Sequence, residues 1–260
     1  MDFTMILPEE CQSLIMSFTS PADAFRSAMV CQALRSAVDF DAVWEKFLPS
    51  DYKSIILGSS SPSSLLSLGM KELYLQLCFH PILLQNGTMS FQLEKGSGKK
   101  CYMLGARALS ISWGDIPHHW TWTPQPDSRF PEVAELELVW WLEVKGRIET
   151  RILSPNTKYA AYLVFKLKIR FTAWFRERPV TLNVNVDGVV SGEGRRVSLD
   201  PRDEPRHVRE RGDGWMEVEM GEFLNEFGDD GTVEFSLKEI DTRYIKRGLI
   251  IEGIEIRRNA

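Results

Sequence analysis

The 260-residue chain has no apolar run approaching the ~18 residues that a membrane-spanning helix needs, and its start, MDFTMILPEECQ, lacks a basic segment ahead of a secretory core. The cytoplasm and nucleus are therefore the expected location, with no membrane partner. Positive charge is also short. A formal net charge of −5 does not supply the cationic surface that neutralises phosphates, so no nucleic-acid partner is expected. The densest basic stretch, EGRRVSLDPRDEPRHVRERGDG, is nearly balanced by its own acids and reads as a solvated loop. Cys11, Cys31, Cys78 and Cys101 are scattered without C-x-x-C spacing, which suits reduced buried thiols rather than a disulfide framework or a zinc site. The neighbouring His118 and His119 find no Cys, Asp or His at a spacing that completes a metal site, so neither metal nor cofactor is expected. Asn86-Gly87-Thr88 is formally a glycosylation sequon, but in a chain that avoids the secretory path Asn86-Gly87 reads as a tight hairpin turn.

What is present begins with helical periodicity from Leu7 to about Leu48. Cys11, Leu14, Ile15 and Phe18 fall on one stripe, behind a start marked by Pro8-Glu9-Glu10. Ser20-Pro21-Ala22-Asp23 opens a second helix with an S-x-x-D capping box. Phe25, Ala28, Met29, Val30, Cys31, Leu34, Ala37 and Val38 then surround that helix rather than line one side, and DAVWEKFL forms a third helix ending at Pro49. A module of about 45 residues cannot enclose so many apolar faces, so it needs either a partner or the rest of its own chain.

Leu7-Pro8-Glu9-Glu10, Ile15, Pro21-x-Asp23, Val30-Cys31, Arg35 and Trp44 resemble, in order and spacing, the F-box motif, with Ala24 and Leu34 as departures that remain apolar. The resemblance implies a helical surface that docks on the Skp-type adaptor of an SCF ubiquitin ligase, with Leu7, Pro8, Ile15, Pro21 and Val30 among its contacts.

GSSSPSS, residues 58–64, has the composition of a flexible joint. Leu66, Met70, Leu73 and Leu77 predict one more helix, stopped at His80-Pro81. From about residue 100 the period becomes two. RALSISW places Leu109, Ile111 and Trp113 on one face; YLVFKLKIRF does so with Leu163, Phe165, Leu167, Ile169 and Phe171; VTLNVNVDG with Val180, Leu182, Val184 and Val186; and TVEFSLKE with Val233, Phe235 and Leu237. Half-buried strands without intervening helices predict an antiparallel, jelly-roll-like β-sandwich. The expected fold class is thus multidomain: an all-α module at 1–49, a linker with one helix and a hairpin at 50–98, and an all-β sandwich at 99–260.

WGDIPHHWTW packs three tryptophans into ten residues. Trp113 shares the inward phase of Leu109 and Ile111, which fits a core side chain closing a strand. Trp120 and Trp122 lie in a proline-rich stretch that reads as loop, where they either fold back over the sandwich edge or offer flat surfaces for stacking on a sugar ring. Glu239 continues the inward phase of its strand. Burying its charge unpaired would be costly, so it belongs at a rim, as ordinary surface or as an acceptor for sugar hydroxyls.

KKCYMLGARALSISWGDIPHHWTW, DSRFPEVAELELVWWLEVKGRIETRILSPNTKYAAYLVFKLK, GDGWMEVEMGEF and KRGLIIEGIEIR resemble the plant phloem protein 2 or Nictaba-type lectin family over about residues 99–258. The resemblance implies a metal-free sandwich that recognises glycans, often containing N-acetylglucosamine. It carries the stacking tryptophans onto Trp113 and Trp120 and one carboxylate onto Glu239; a second carboxylate falls, without a gap, on Thr232. The expectation is a non-catalytic substrate receptor of an SCF ligase that binds a glycosylated target protein. Two alternatives stand beside it: a sandwich that reads a protein surface without sugar, and a glycoside hydrolase built on Glu132, Glu135, Glu137 or Glu239, against which the solvent-facing phase of Glu135 and Glu137 argues.

Overall fold

The computed structural model describes residues 7–190, 194–202 and 207–259. The chain divides into two compact units, one running to Gln85 and taking in Phe91–Lys100, the other made of Asn86–Ser90 and the chain from Cys101 onward.

Among the described residues, seven helices build the first unit: α1 (Glu9–Ser17), α2 (Pro21–Ala28), α3 (Gln32–Val38), α4 (Asp41–Phe47), α5 (Tyr52–Leu57), α6 (Pro62–Leu66) and α7 (Met70–Phe79). The capping box behaves as expected, with the Asp23 amide donating to Ser20 Oγ over 3.1 Å and Pro21 in the first turn. The expected second helix is instead two, broken at Met29–Cys31. This removes the paradox of a helix apolar on every side: Ala24, Ala37 and Val38 point inward from two short helices, while Met29 and Val30 stand exposed in the turn between them.

Trp44 is the centre of this unit. Its ring lies 4.9 Å from Phe25, 5.6 Å from Phe47 and 5.2 Å from Tyr74, centroid to centroid, and its indole N–H donates to the Val38 carbonyl over 2.6 Å. Tyr74 belongs to α7, so the unit continues well beyond residue 49. Asp41 Oδ1 at the start of α4 also accepts from the Met70 amide at 3.0 Å, satisfying one of the free N–H groups that open α7. The GSSSPSS stretch is no joint: Ser59 bridges to Leu84, α6 starts at Pro62, and Leu65 is buried.

Strand β1 (Ile82–Leu84) leads to β2 (Met89–Leu93) through a turn in which Gln85, Asn86 and Gly87 have φ of 50, 57 and 83°, the left-handed backbone that Asn-Gly favours. The second unit is the expected antiparallel sandwich. One sheet runs β3 (Lys100–Gly105), β15 (Leu249–Arg258), β8 (Thr157–Leu167), β13 (Met216–Asn225), β12 (Val208–Glu210), with β6 (Val133–Leu136) also on β15 and β5 (Trp120–Thr123) on β6. The other runs β10 (Val189–Val190), β9 (Val180–Val186), β14 (Thr232–Glu239), β7 (Leu142–Glu149), β4 (Ser110–Ile111), with β11 (Arg195–Val197) also on β9.

Alternation decides which side of each strand is buried: Leu142, Val144 and Ile148 of β7 and Val233, Phe235 and Leu237 of β14 enter the core. Phe235 meets Phe223 of β13 at 6.2 Å, and Gly146 of β7 lets Leu104 and Ile254 of the facing sheet approach where a Cβ would stand only 3.2 and 3.1 Å from them. Strand β8 stops at Leu167, short of the alternation expected through Phe171, and the chain turns into a short helix, α8 (Thr172–Glu177).

The basic stretch is not a solvated loop. It supplies β11 and β12 and buries Val197, Leu199 and Asp200, although Glu193 and residues 203–206 lie outside the described residues. Asp200 is held by Arg176 at 3.0 Å and Arg202 at 2.9 Å, and chiefly the hydrogen bond from Arg202 draws its carboxyl down to about 2. Arg211 bonds both Glu217, at 3.2 Å, and Glu255, at 2.5 Å, inside the sheet-side ion cluster that also contains Arg257.

Candidate functional site

Two surfaces combine the side chains singled out in the sequence. On the first unit, α1 turns its polar side inward. Gln12 and Ser13 are buried, with Gln12 Nε2 donating to the Leu7 carbonyl over 2.9 Å, whereas Cys11, Leu14, Ile15 and Phe18 face away from the unit. Phe18 is 80 % exposed and Val30, in the α2–α3 turn, 74 %. Each such side chain would gain about 1.5–3 kcal/mol on complete burial, so a row of them is a surface awaiting a partner. Of the five expected adaptor contacts, Leu7, Pro8, Ile15 and Val30 are exposed. Pro21 is not: it is buried at the start of α2 and shapes the helix entry instead.

The second surface is one end of the sandwich, and here the three tryptophans exchange roles. Trp120 and Trp122 belong to β5, paired with β6 through Leu136 and Ala134, not to a loop. Trp120 is 1 % exposed and so has no face for a sugar. Its indole N–H donates to the Ser112 carbonyl over 3.1 Å, and that of the half-buried Trp122 to the Gly114 carbonyl over 2.9 Å. These carbonyls flank Trp113. The two indoles thus clamp the backbone on both sides of a residue whose φ of 58° is left-handed, a conformation that costs a bulky side chain about 1–3 kcal/mol. Trp113, whose strand phase fits the core but onto which the family resemblance carries a stacking role, is 44 % exposed. Trp122 is covered by the Arg107 guanidinium, 3.7 Å above its ring, which Glu132 holds at 2.8 Å.

Beside Trp113 stands His119, at 5.8 Å between ring centroids, whose Nδ1 lies 2.7 Å from the Leu138 carbonyl. A carbonyl can only accept, so Nδ1 is the donor in this bond. The chain then passes Val139, which bridges to Lys246, and exposes Trp140.

Lys246 is the residue that sequence reasoning missed. It is 0 % exposed, and its ammonium donates to the Trp140 carbonyl over 2.6 Å and to the Asp241 carbonyl, and pairs with Glu239 Oε2 at 2.5 Å. Two of its N–H groups are thus spent on carbonyls, and the Glu239 carboxylate balances its charge as an ion pair rather than as a third hydrogen bond. Glu239 is therefore neither an unpaired rim acid nor a freely offered acceptor: one oxygen is committed to Lys246, and Oε1 lies 3.4 Å from the Asp241 amide. The segment that Lys246 ties down presents Ile240, Tyr244 and Ile245 to solvent, with Arg178 stacked 3.1 Å from the Tyr244 ring. Asp241 is drawn down to about 2, first by the hydrogen bond from the Arg243 side chain. A lysine among KRGLII in sequence gives no sign of burial; only its contacts do.

Thr232 is at the opposite end of β14 from Glu239, about 23 Å away at ~3.3 Å per residue, and so shares no site with it. The acids considered for hydrolysis are engaged elsewhere, Glu132 with Arg107, Glu135 with Lys168, and Glu137 with the Thr121 hydroxyl at 3.3 Å. Glu135 is only half-exposed rather than fully on a wet face. Among the described residues, no group of three His, Cys, Asp or Glu is placed to hold a metal ion, and no helix is long and apolar enough to cross a membrane.

Residues 99–258 match the family described as phloem protein 2, and residues 5–46 match the F-box domain. The chain is 44 % identical to F-box protein PP2-B10 of Arabidopsis thaliana over 96 % of its own length and 92 % of that protein's. It is 41 % identical to F-box protein PP2-B15 of the same plant, over 97 % and 96 %. Among solved structures, a family 35 carbohydrate-binding module from Clostridium thermocellum is similar to 60 % of this chain and 96 % of its own, with 9 % identity and a TM-score of 0.36.

Proposed function

The chain belongs to the F-box group of the phloem protein 2 family, and from that premise we propose that it is a non-catalytic substrate receptor of an SCF-type ubiquitin ligase, acting in the cytoplasm and nucleus. The helical unit docks on a Skp-type adaptor, and the sandwich captures a target protein through an N-acetylglucosamine-containing glycan. The contribution is proximity: one chain that holds both ligase and target raises the effective concentration of target lysines near the ubiquitin donor.

The exposed apolar row of α1 and the α2–α3 turn carries this reading, because the core around Trp44 is complete without it. Pull-down with a recombinant Skp-type adaptor tests it. Ile15→Asp combined with Val30→Asp abolishes capture while leaving the melting profile unchanged; undiminished capture removes the docking assignment.

For the sandwich, the reading rests on Trp113, propped outward beside His119. Flat aromatic faces stack on the CH faces of sugar rings at little entropic cost. Binding of chito-oligosaccharides on a glycan array should disappear in Trp113→Ala. A second reading has one observation in its favour: Trp120, one of the two tryptophans onto which the family resemblance carries a stacking role, is buried. In that reading the exposed Trp113, Trp140, Ile240 and Tyr244 recognise a protein surface, and the array is empty although the protein is folded.

A further inference from the structure

The open face of the smaller sheet holds a groove of about 400 Å³, within the range of small-ligand sites, and none of the rim residues lines it. Across it the register places Arg147 of β7, Glu234 of β14 and Asn185 of β9 in one row, with Lys145, Ser236 and Asn183 in the next. Three lining cations, Lys145, Arg147 and Lys238, face one lining carboxylate, Glu234, in a chain whose net charge is −5. Glu143 takes up both lysines, at 2.9 Å from Lys145 and 3.4 Å from Lys238. Arg147 has no carboxylate within ion-pair distance among the described residues, its one polar contact being the Thr232 hydroxyl at 3.5 Å. Asn185 lines the groove, and among the described residues its buried Oδ1 has no donor.

We propose that this groove binds a uronic-acid-bearing oligosaccharide, its carboxylate on the Arg147 guanidinium with Lys145 beside it and its ring hydroxyls donating to Glu234, next to the Asn185 side chain. A planar guanidinium with free donors matches a carboxylate two bonds at a time, and a sugar acid is the ligand that brings anion and hydroxyl donors together in one ring. An acidic peptide fits less well. β14 is paired on both sides, by β7 and by β9, so its backbone groups are spent and the groove has no free edge on which an extended peptide could add as a strand.

Calorimetry of the full chain with a tetramer of galacturonic acid tests this. Saturable binding is expected, weaker by about 10- to 100-fold in Arg147→Met, the span that corresponds to losing a charge-assisted bond. Arg147 is exposed, so the variant keeps the wild-type melting temperature. Asn185→Asp weakens binding as well, by setting a like charge against the ligand. Trp113→Ala leaves it unchanged, which separates this groove from the rim. Methyl esterification of the tetramer abolishes binding, and polyglutamate fails to displace it. The proposal is overturned if the tetramer does not bind, if Arg147→Met binds within twofold of wild type, or if the ester or polyglutamate binds as well as the acid.

Discussion

The helical unit and the sandwich treat their surplus apolar side chains in opposite ways. In the helical unit, Phe18, Met29 and Val30 are exposed because the inner side of the same short helices is already used around Trp44; nothing props them, and they need no strained backbone. In the sandwich, Trp113 is exposed only because two other tryptophans donate to the carbonyls on either side of it and hold a left-handed residue in place. Exposure by default suits a face that a second polypeptide covers. Exposure under clamp suits a side chain that must meet its ligand in one orientation, since the ordering cost is met in folding rather than in binding.

That contrast can be broken at its two centres first. Trp44→Ala should cost about 3–5 kcal/mol, because the ring fills the centre of the first unit and donates a buried hydrogen bond. Two-step melting with the sandwich transition unchanged is the expected calorimetric trace; a shift of both transitions would mean the units do not melt separately. Lys246→Met should cost a similar ~3–5 kcal/mol by leaving Glu239 without its partner, and Glu239→Leu with Lys246→Met should recover most of it. A double variant no more stable than the single one would show that the lysine's bonds to the Trp140 and Asp241 carbonyls matter more than its ion pair.

The clamp itself is tested by Trp120→Phe, which keeps an aromatic ring and removes the bond to Ser112. The expected loss is about 0.5–1.5 kcal/mol, accompanied by faster hydrogen exchange at the Gly114 and Ile116 amides of the Trp113 turn and by weaker ligand binding. Unchanged exchange would reduce Trp120 to packing alone. A pH-dependent test concerns Asp200, a depressed carboxyl: it titrates near 3.8 unfolded and about 2 folded, so its stabilisation is present above pH 4 and fades as pH falls toward 2. Melting temperatures of wild type and Asp200→Asn should therefore converge across that interval.

Much of both surfaces was legible in the sequence, for reasons that can be named. The Ser20–Asp23 box and Pro21 are local signals, because the groups that bond are three residues apart and the chain brings them together unaided. The alternation of β9 and β14 is equally local, and it placed Val233, Phe235 and Leu237 inward correctly. The same rule failed at Trp113 because parity holds only while a strand lasts, and β4 ends two residues earlier, at Ile111. It failed at Trp120 and Trp122 because proline-rich flanks suggested a loop, whereas pairing with β6 makes them a strand. The stripe of Cys11, Leu14, Ile15 and Phe18 was read correctly as a stripe, yet periodicity cannot say whether a stripe faces the core or solvent.

By itself, then, the order of residues determined the helix starts, the strand alternation, the Asn-Gly turn and the two family motifs, all of which depend on neighbours within a few positions. Tertiary structure alone decided which side of α1 stays bare, which tryptophan stands out and which two hold it, and that Lys246 is buried against Glu239. Those outcomes depend on desolvation and hydrogen bonds between groups from different elements, several of them far apart in the chain, and such energies exist only once the sheets and helices have closed around them.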